Sequence, residues 1–229
     1  IFYSELLQKN IPASMMVWEE GVILRKLPAY QRWSHFYELG AATAKLHQLG
    51  KLAKFSKQAQ LQKLKGIFWS KKDNLSSIHR THPHLMTPDR RAIFAEYLER
   101  ATEVVEPYWQ RKNLIPVHAD LHKGNILIHK DKIKILDFDD CGLGYPALDL
   151  GVTLYYHVNE RNFLKYVDEI LAGYSDVSPS PFRNPSDLRW MILGRGILML
   201  NAVIDMKAAS IQKQLPKIFE MTFLRMKRV

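Results

Sequence analysis

Apolar positions recur at helical spacing over most of the chain and at strand spacing in a few short runs. Tyr3 to Lys9 reads as a short helix that ends at Asn10-Ile11-Pro12, because proline disfavours helix in the residue before it. Met15 to Trp18 and Val22 to Leu27 read as strands turned at Glu20-Gly21, and Pro28 stops the second because it has no N–H for a ladder. Ser34 to Leu49 predicts a helix with Ser34 as N-cap, Phe36, Leu39, Thr43, Leu46 and Leu49 on one face, and Gly50 at its C-terminal cap. Phe55 to Leu85 is polar, Lys-rich and His-rich, and reads as a helix plus irregular loop. Thr87-Pro88 opens a second long helix, carried by Ile93, Tyr97, Ala101, Val104 and Tyr108 to about Arg111. Leu114 to Val117 is a short strand. Asn125 to His129 and Ile133 to Phe138 are two further strands turned at Lys130-Asp131-Lys132. Beyond Asp149 the spacing predicts helices over Leu150 to Val158, Asn162 to Tyr174, Asp187 to Met206 and Gln214 to Lys227. The prolines of Ser178-Pro179-Ser180-Pro181 mark a loop.

This order predicts an α+β fold: a short β piece, a mostly helical body, and a hairpin between them where polar residues concentrate. At 229 residues the chain is one generous domain or two small ones, and 47% apolar with 24% charged residues is globular composition. The single cysteine, Cys141, excludes an internal disulfide and a Cys-rich zinc site. No run of ~18 uncharged apolar residues is present, so no membrane-spanning helix is predicted. The start Ile1-Phe2-Tyr3-Ser4-Glu5 lacks a basic segment, so no signal peptide is read and a cytoplasmic setting is expected. Net charge is +10, and Lys45 to Lys72 holds eight lysines with no Asp or Glu. No nucleic-acid motif accompanies these lysines, so they read as a solvated face and no nucleic-acid partner is expected. The charge also argues mildly against a strongly cationic substrate.

The chemistry concentrates in His118-Ala-Asp120-Leu-His122-Lys123-Gly-Asn125-Ile-Leu-Ile and in Ile133-Lys-Ile-Leu-Asp137-Phe-Asp139-Asp140. A hairpin over these strands sets Asn125 and Asp137 at the same end. An amide oxygen and a carboxylate are hard ligands that suit Mg²⁺, and Mg²⁺ held by few protein ligands usually also holds a phosphate. Asp120 precedes the hairpin, where a carboxylate can accept a proton from a substrate hydroxyl. A base, a metal-binding amide and a metal-binding acid are the parts of a phosphoryl-transfer site.

His-x-Asp-x-x-x-x-Asn followed by Ile-Leu-Asp-Phe-Asp-Asp resembles the catalytic and metal loops of the aminoglycoside phosphotransferase and choline kinase-like superfamily. Gly144-Tyr-Pro-Ala-Leu-Asp149-Leu-Gly and the helix carrying Leu39-Gly40 and Ala44-Lys-Leu46-His47 resemble flanking family segments, and the likeness runs from about Val22 to Tyr156. It implies a protein-kinase-like fold, with ATP and Mg²⁺ as cofactors and a hydroxyl-bearing acceptor, a small molecule or a protein Ser/Thr. It implies Asp120 as catalytic base, Asn125 and Asp137 as metal ligands, Asp139 as their support, and His118 and Asp149 as braces of the catalytic loop. Leu24, Arg25, Lys26 and Leu27 become the hinge against which adenine stacks. Residues 1–28 then correspond to a remnant of the N-terminal nucleotide lobe plus hinge, and 29–229 to the helical C-terminal lobe.

The match departs from the family at its front. No Gly precedes Gly21, and neither the Gly-containing phosphate loop nor its partner Lys is recognisable; Glu5 is the nearest stand-in for the helix Glu. The chain as given is therefore expected to be inactive or nearly so, within a parent protein that is a kinase. Two rival readings are a non-catalytic binding module with a basic interaction face and a nucleic-acid binder acting through Lys45 to Lys72. Tyr155, Tyr156, Trp190 and Arg195 mark the expected acceptor region, and Asp168, Glu169, Asp187 and Asp205 are too dispersed to form an acidic cleft for aminoglycosides. Cys141 carries no mark of a nucleophile, and His79, His82 and His84 form a loose group with no supporting carboxylate.

Overall fold

A computed structural model describes residues 2–4, 8–11, 18–52, 61, 63–64, 78, 82–110 and 114–229. The first described elements are strands, not the expected helix over Tyr3 to Lys9. β1 (Phe2–Ser4) and β2 (Lys9–Ile11) pair antiparallel with Phe2 opposite Ile11, and Gln8 takes the left-handed conformation at φ 50°. A seven-residue helix gains little beyond its nucleation cost, whereas the pairing satisfies backbone groups on both strands. Met15 to Val17 of the expected strand and most of Phe55 to Leu85 lie outside the described residues, and Trp18 is not in a strand.

β3 (Val22–Ile23) is shorter than the expected Val22 to Leu27 strand. Leu24 drops into the core and a 3₁₀ turn over Leu24–Lys26 follows, closed by the Leu27 N–H on the Leu24 carbonyl. β3 pairs antiparallel with β5 (Ile126–His129), which pairs with β6 (Lys132–Ile135). Gly21 enters this sheet at φ +149°, and a Cβ there would sit 2.5 Å from the Ile128 carbonyl oxygen, so the close approach requires glycine. β4 (Ile115–Val117) pairs with β7 (Gly142–Gly144), a strand that the sequence pattern does not announce.

Seven α-helices are described. α1 (Ala29–Arg32) leads through a 3₁₀ turn at Trp33–His35 into α2 (Phe36–Leu52). Ser34 does not cap α2; its hydroxyl donates to the Gln31 carbonyl. α3 (Pro88–Trp109) starts as its chemistry dictates, with Thr87 Oγ1 accepting from the Arg90 N–H and Pro88 in the first turn. α4 (Ala147–Tyr155), α5 (Phe163–Ser175), α6 (Asp187–Asp205) and α7 (Ala209–Arg228) complete the body. None of the described helices is long and apolar enough to cross a membrane.

α4 is buried on all sides and acts as the central post. On one side, Leu150 and Leu154 pack with Leu24, Phe36, Leu39, Leu121, Ile126, Tyr166 and Ile170. On the other, Leu148 and Val152 pack with Tyr108, Val117 and Met191. A second cluster, with Phe94, Leu193, Leu200, Phe219 and Phe223, joins α3, α6 and α7. α2 and α5 meet backbone to backbone: a Cβ on Gly40 would lie 2.1 Å from the Ile170 oxygen, and one on Gly173 would lie 1.9 Å from the Tyr37 oxygen. Through Leu121 and Ile126, the loop before the hairpin and β5 itself are anchored on the α2–α4–α5 layer.

Candidate active site

The segment between β4 and β5 is built from short-range hydrogen bonds. His122 N–H donates to the Asp120 carbonyl at 2.8 Å, Asn125 N–H to the His122 carbonyl at 2.9 Å, and Leu136 N–H to the Asn125 carbonyl at 2.9 Å. Ala119 sits at φ 66° and Asp137 at φ 64°, left-handed positions unusual for residues with a Cβ. Such conformations cost of order 1–3 kcal/mol each and persist where the surroundings over-determine them.

Those surroundings are visible. The fully buried Asp149 carboxylate accepts the Ala119 N–H at 2.8 Å on Oδ1 and the His118 N–H at 2.9 Å on Oδ2. His47 Nε2 lies 2.9 Å from the same Oδ2, and its Nδ1 lies 3.0 Å from the Tyr174 hydroxyl. His118 is also buried; its Nδ1 accepts the Asp120 N–H at 3.3 Å, so Nε2 carries the proton donated to the Leu136 carbonyl at 2.8 Å. One imidazole thus bridges the Asp120 loop to the residue before Asp137. Phe138 packs against that ring at a tilt of 50°, with 4.8 Å between centroids.

At the open end of the β5–β6 hairpin, beyond the Ile126–Ile135 pair, Asn125 lies opposite Leu136, and Asp137 follows Leu136. Asn125 is buried and donates Nδ2 to the Asp120 carbonyl at 3.0 Å, so Oδ1 is the atom it could offer to a cation. Asp137, Asp139 and Asp140 are exposed. No group of three His, Cys, Asp or Glu side chains forms a metal cage among the described residues. The donor set fits a hard divalent cation that brings most of its own oxygen ligands, such as one carrying nucleotide phosphates.

Asp120 meets the side chains of Arg195 and His122. Arg195 Nη2, from α6, donates to Oδ1 at 2.5 Å and to the Tyr156 hydroxyl at 3.0 Å. His122 Nε2 lies 4.0 Å from Oδ2, and its ring packs edge-on to Tyr156. Tyr156 and Asp120 hold the Arg195 guanidinium charged against its burial, and burial pushes the Tyr156 hydroxyl upward. Burial and the Asp149 charge raise the Cys141 thiol, which opposes a nucleophilic role.

Beside this loop, Glu160 gathers a second network. Arg32 Nη1 donates to it at 2.8 Å, Lys123 Nζ at 3.3 Å and the Tyr166 hydroxyl at 2.8 Å, while His157 Nδ1 lies 3.0 Å away. Burial favours the protonated acid, but His157, Tyr166 and Lys123 outweigh it and pull Glu160 down to about 2. Burial lowers Lys123 and His157, opposed in each by Glu160. Arg32 also donates to the Leu27 carbonyl at 2.8 Å and the Arg25 carbonyl at 3.3 Å, and the Arg25 N–H donates to the Lys123 carbonyl at 2.9 Å. Segment Leu24–Leu27 is therefore tied to the Asp120–Asn125 loop. Within it Leu24 is a core residue, Leu27 is half-buried, and Arg25 and Lys26 are exposed. The sequence pattern does not reveal this network, nor the pairing of Arg195 with Asp120. The only local signal is the His157–Glu160 i,i+3 spacing.

Residues 3–189 match the family described as "Phosphotransferase enzyme family" (APH). Amicoumacin kinase of Bacillus subtilis (strain 168) is 32% identical over 120 residues, which covers 52% of this chain and 33% of that protein. In fold, the chain resembles a microcompartment-associated aminopropanol kinase at TM-score 0.62 and 18% identity, over 83% of this chain and 60% of the other. It also resembles an amicoumacin kinase in complex with AMP-PNP, Ca²⁺ and Ami at TM-score 0.55 and 20% identity, over 83% and 58%. The chain thus spans from a third to about three fifths of these relatives. Its architecture is the α+β, protein-kinase-like one, and the chain belongs to the phosphotransferase enzyme family.

Proposed function

We propose that the protein is an ATP-dependent kinase that transfers the γ-phosphoryl group to a hydroxyl of a small-molecule acceptor. The observation that supports this reading is the hydrogen bond from Asn125 Nδ2 to the Asp120 carbonyl, which joins the loop to the hairpin end, in a chain of this family. Asn125 and Asp137 would hold Mg²⁺, with Asp139 in support; the ion supplies charge neutralisation at the phosphates. Asp120 accepts the acceptor's hydroxyl proton as the oxygen–phosphorus bond forms and the bond from phosphorus to the ADP oxygen breaks. His118 and Asp149 hold the loop in the geometry this requires. The backbone of Leu24–Leu27 forms the adenine side, with residues 1–28 as the nucleotide-side part and 29–229 as the helical catalytic part. The reaction has a cytoplasmic setting, where ATP is plentiful.

The test is nucleotide binding and turnover in the full-length protein. A ligand that binds only the folded state raises its stability. ATP with Mg²⁺ is expected to raise the melting temperature of the wild type and not of Asp137→Ala. ADP release in the presence of hydroxyl compounds is expected to fall by about 10²–10⁴-fold in Asp120→Asn, the usual worth of a general base. An unaltered rate in Asp120→Asn would leave the non-catalytic binding module as the better reading.

A further inference from the structure

The surroundings of Asp120 say what kind of acceptor the site would take, granted the kinase reading above. Arg195 is only 11% exposed, so its charge is not a solvated surface charge. A desolvated guanidinium needs strong acceptors for its five donors. Nη2 serves Asp120 and the Tyr156 hydroxyl, and Nε has no hydrogen-bond partner. The guanidinium that pairs with Asp120 is thus one oxygen partner short. His122 adds a second basic group on the other carboxylate oxygen.

The opposing charge is scarce. Asp120 is already matched to Arg195, and Glu160 is surrounded by Arg32, Lys123 and His157. Asp137, Asp139 and Asp140 stand at the hairpin end assigned to the cation. An ammonium group brought next to the hydroxyl would meet Arg195 with no free carboxylate to offset the repulsion. An oxyanion there would give Arg195 the acceptor it lacks and release Asp120 to take the hydroxyl.

We infer that Arg195 is a specificity-determining residue and that the acceptor carries an oxyanion, a carboxylate or a phosphate ester, next to the hydroxyl it presents to Asp120. Charge-assisted hydrogen bonds from a guanidinium to such a group are short and about twice as strong as neutral ones.

A matched three-carbon series tests this with the full-length protein: glycerol, glycerate, glycerol 3-phosphate and 3-amino-1,2-propanediol. ADP release is expected to give kcat/KM at least about tenfold higher for one of the anionic compounds than for the amino compound, as one charge-assisted contact supports. Whether glycerate or glycerol 3-phosphate leads identifies the oxyanion. Arg195→Gln is expected to remove that preference, and Arg195→Lys to restore part of it. Calorimetric titration of the four compounds onto the enzyme with AMP-PNP and Mg²⁺ reads the same order where turnover is slow. A lead for the amino compound, equal losses for all four in Arg195→Gln, or binding by none of them overturns the inference; equal losses would mean that Arg195 only steadies Asp120. Absence of the ATP-induced thermal shift in the wild type would instead strike the kinase reading itself.

Discussion

Asp149 and Ala119 are joined by a 2.8 Å hydrogen bond from the Ala119 backbone N–H to Oδ1, and Ala119 is the residue held in the left-handed conformation just before Asp120. The same carboxylate takes the His118 N–H and faces His47 from α2, all out of contact with water. In Asp149→Asn the amide replaces one acceptor oxygen with a donor that points at an N–H. Leaving a buried hydrogen-bonding group unsatisfied costs about 1–3 kcal/mol. Urea unfolding is expected to show a loss of that order, and a loss within ~0.5 kcal/mol would show that the brace is not structural.

Stability should fall with acid in two stages. His157 has a folded pKa below its ordinary value, so the unfolded chain takes up the proton first as pH drops through about 6.5. Glu160, depressed to about 2, contributes stability that is fully present above its unfolded value near 4.5 and is lost as pH falls from about 5 toward 2. The Glu160 contribution is of order 2 kcal/mol after solvent screening. Glu160→Gln is expected to flatten the lower stage, read as the urea midpoint against pH; an unchanged slope between pH 5 and 3 would refute it.

Gly40→Ala should be destabilising although alanine is the better helix former. The added methyl would fall on the Ile170 carbonyl oxygen, which belongs to the backbone of α5 and cannot rotate away. Overpacking of this kind costs about 1–3 kcal/mol, against roughly 1 kcal/mol regained in helix propensity. A net loss is expected in thermal unfolding, together with a similar loss in Gly173→Ala from the mirror-image contact with Tyr37. A rise in melting temperature for either variant would mean that the two helices separate more easily than their backbones suggest.

Local chemistry is legible in the sequence and long-range pairing is not. Thr87-Pro88 starts a helix because the cap and the fixed φ of proline act within one turn. Lys130 and Asp131 turn the hairpin with both residues at positive φ, and the alternation of the flanking strands fixes the register that sets Asn125 opposite Leu136, the residue before Asp137. By contrast, Tyr3 to Lys9 carries an apolar spacing compatible with a helix, and what decides for strands is Phe2 finding Ile11. Gly142-Leu143-Gly144 has no pattern of its own and becomes a strand because β4 lies alongside. At the site, motif residues adjacent in sequence are readable, whereas Arg195 reaches Asp120 across 75 positions and no periodicity encodes that meeting.

The contact between Arg32 and Glu160 has a consequence for the order of assembly. It closes a loop of 128 residues, and through Arg32 it also fixes the carbonyls of Arg25 and Leu27. Closing so long a loop costs entropy before the contact returns anything, so such contacts tend to form after local ones. Segment Leu24–Leu27 should therefore be the last part of the site to set, after α4 and α5 have met. Substituting Arg32 by Met should speed unfolding and leave the folding rate nearly unchanged, a φ-value near zero. A φ-value near one would place this strut among the first contacts made.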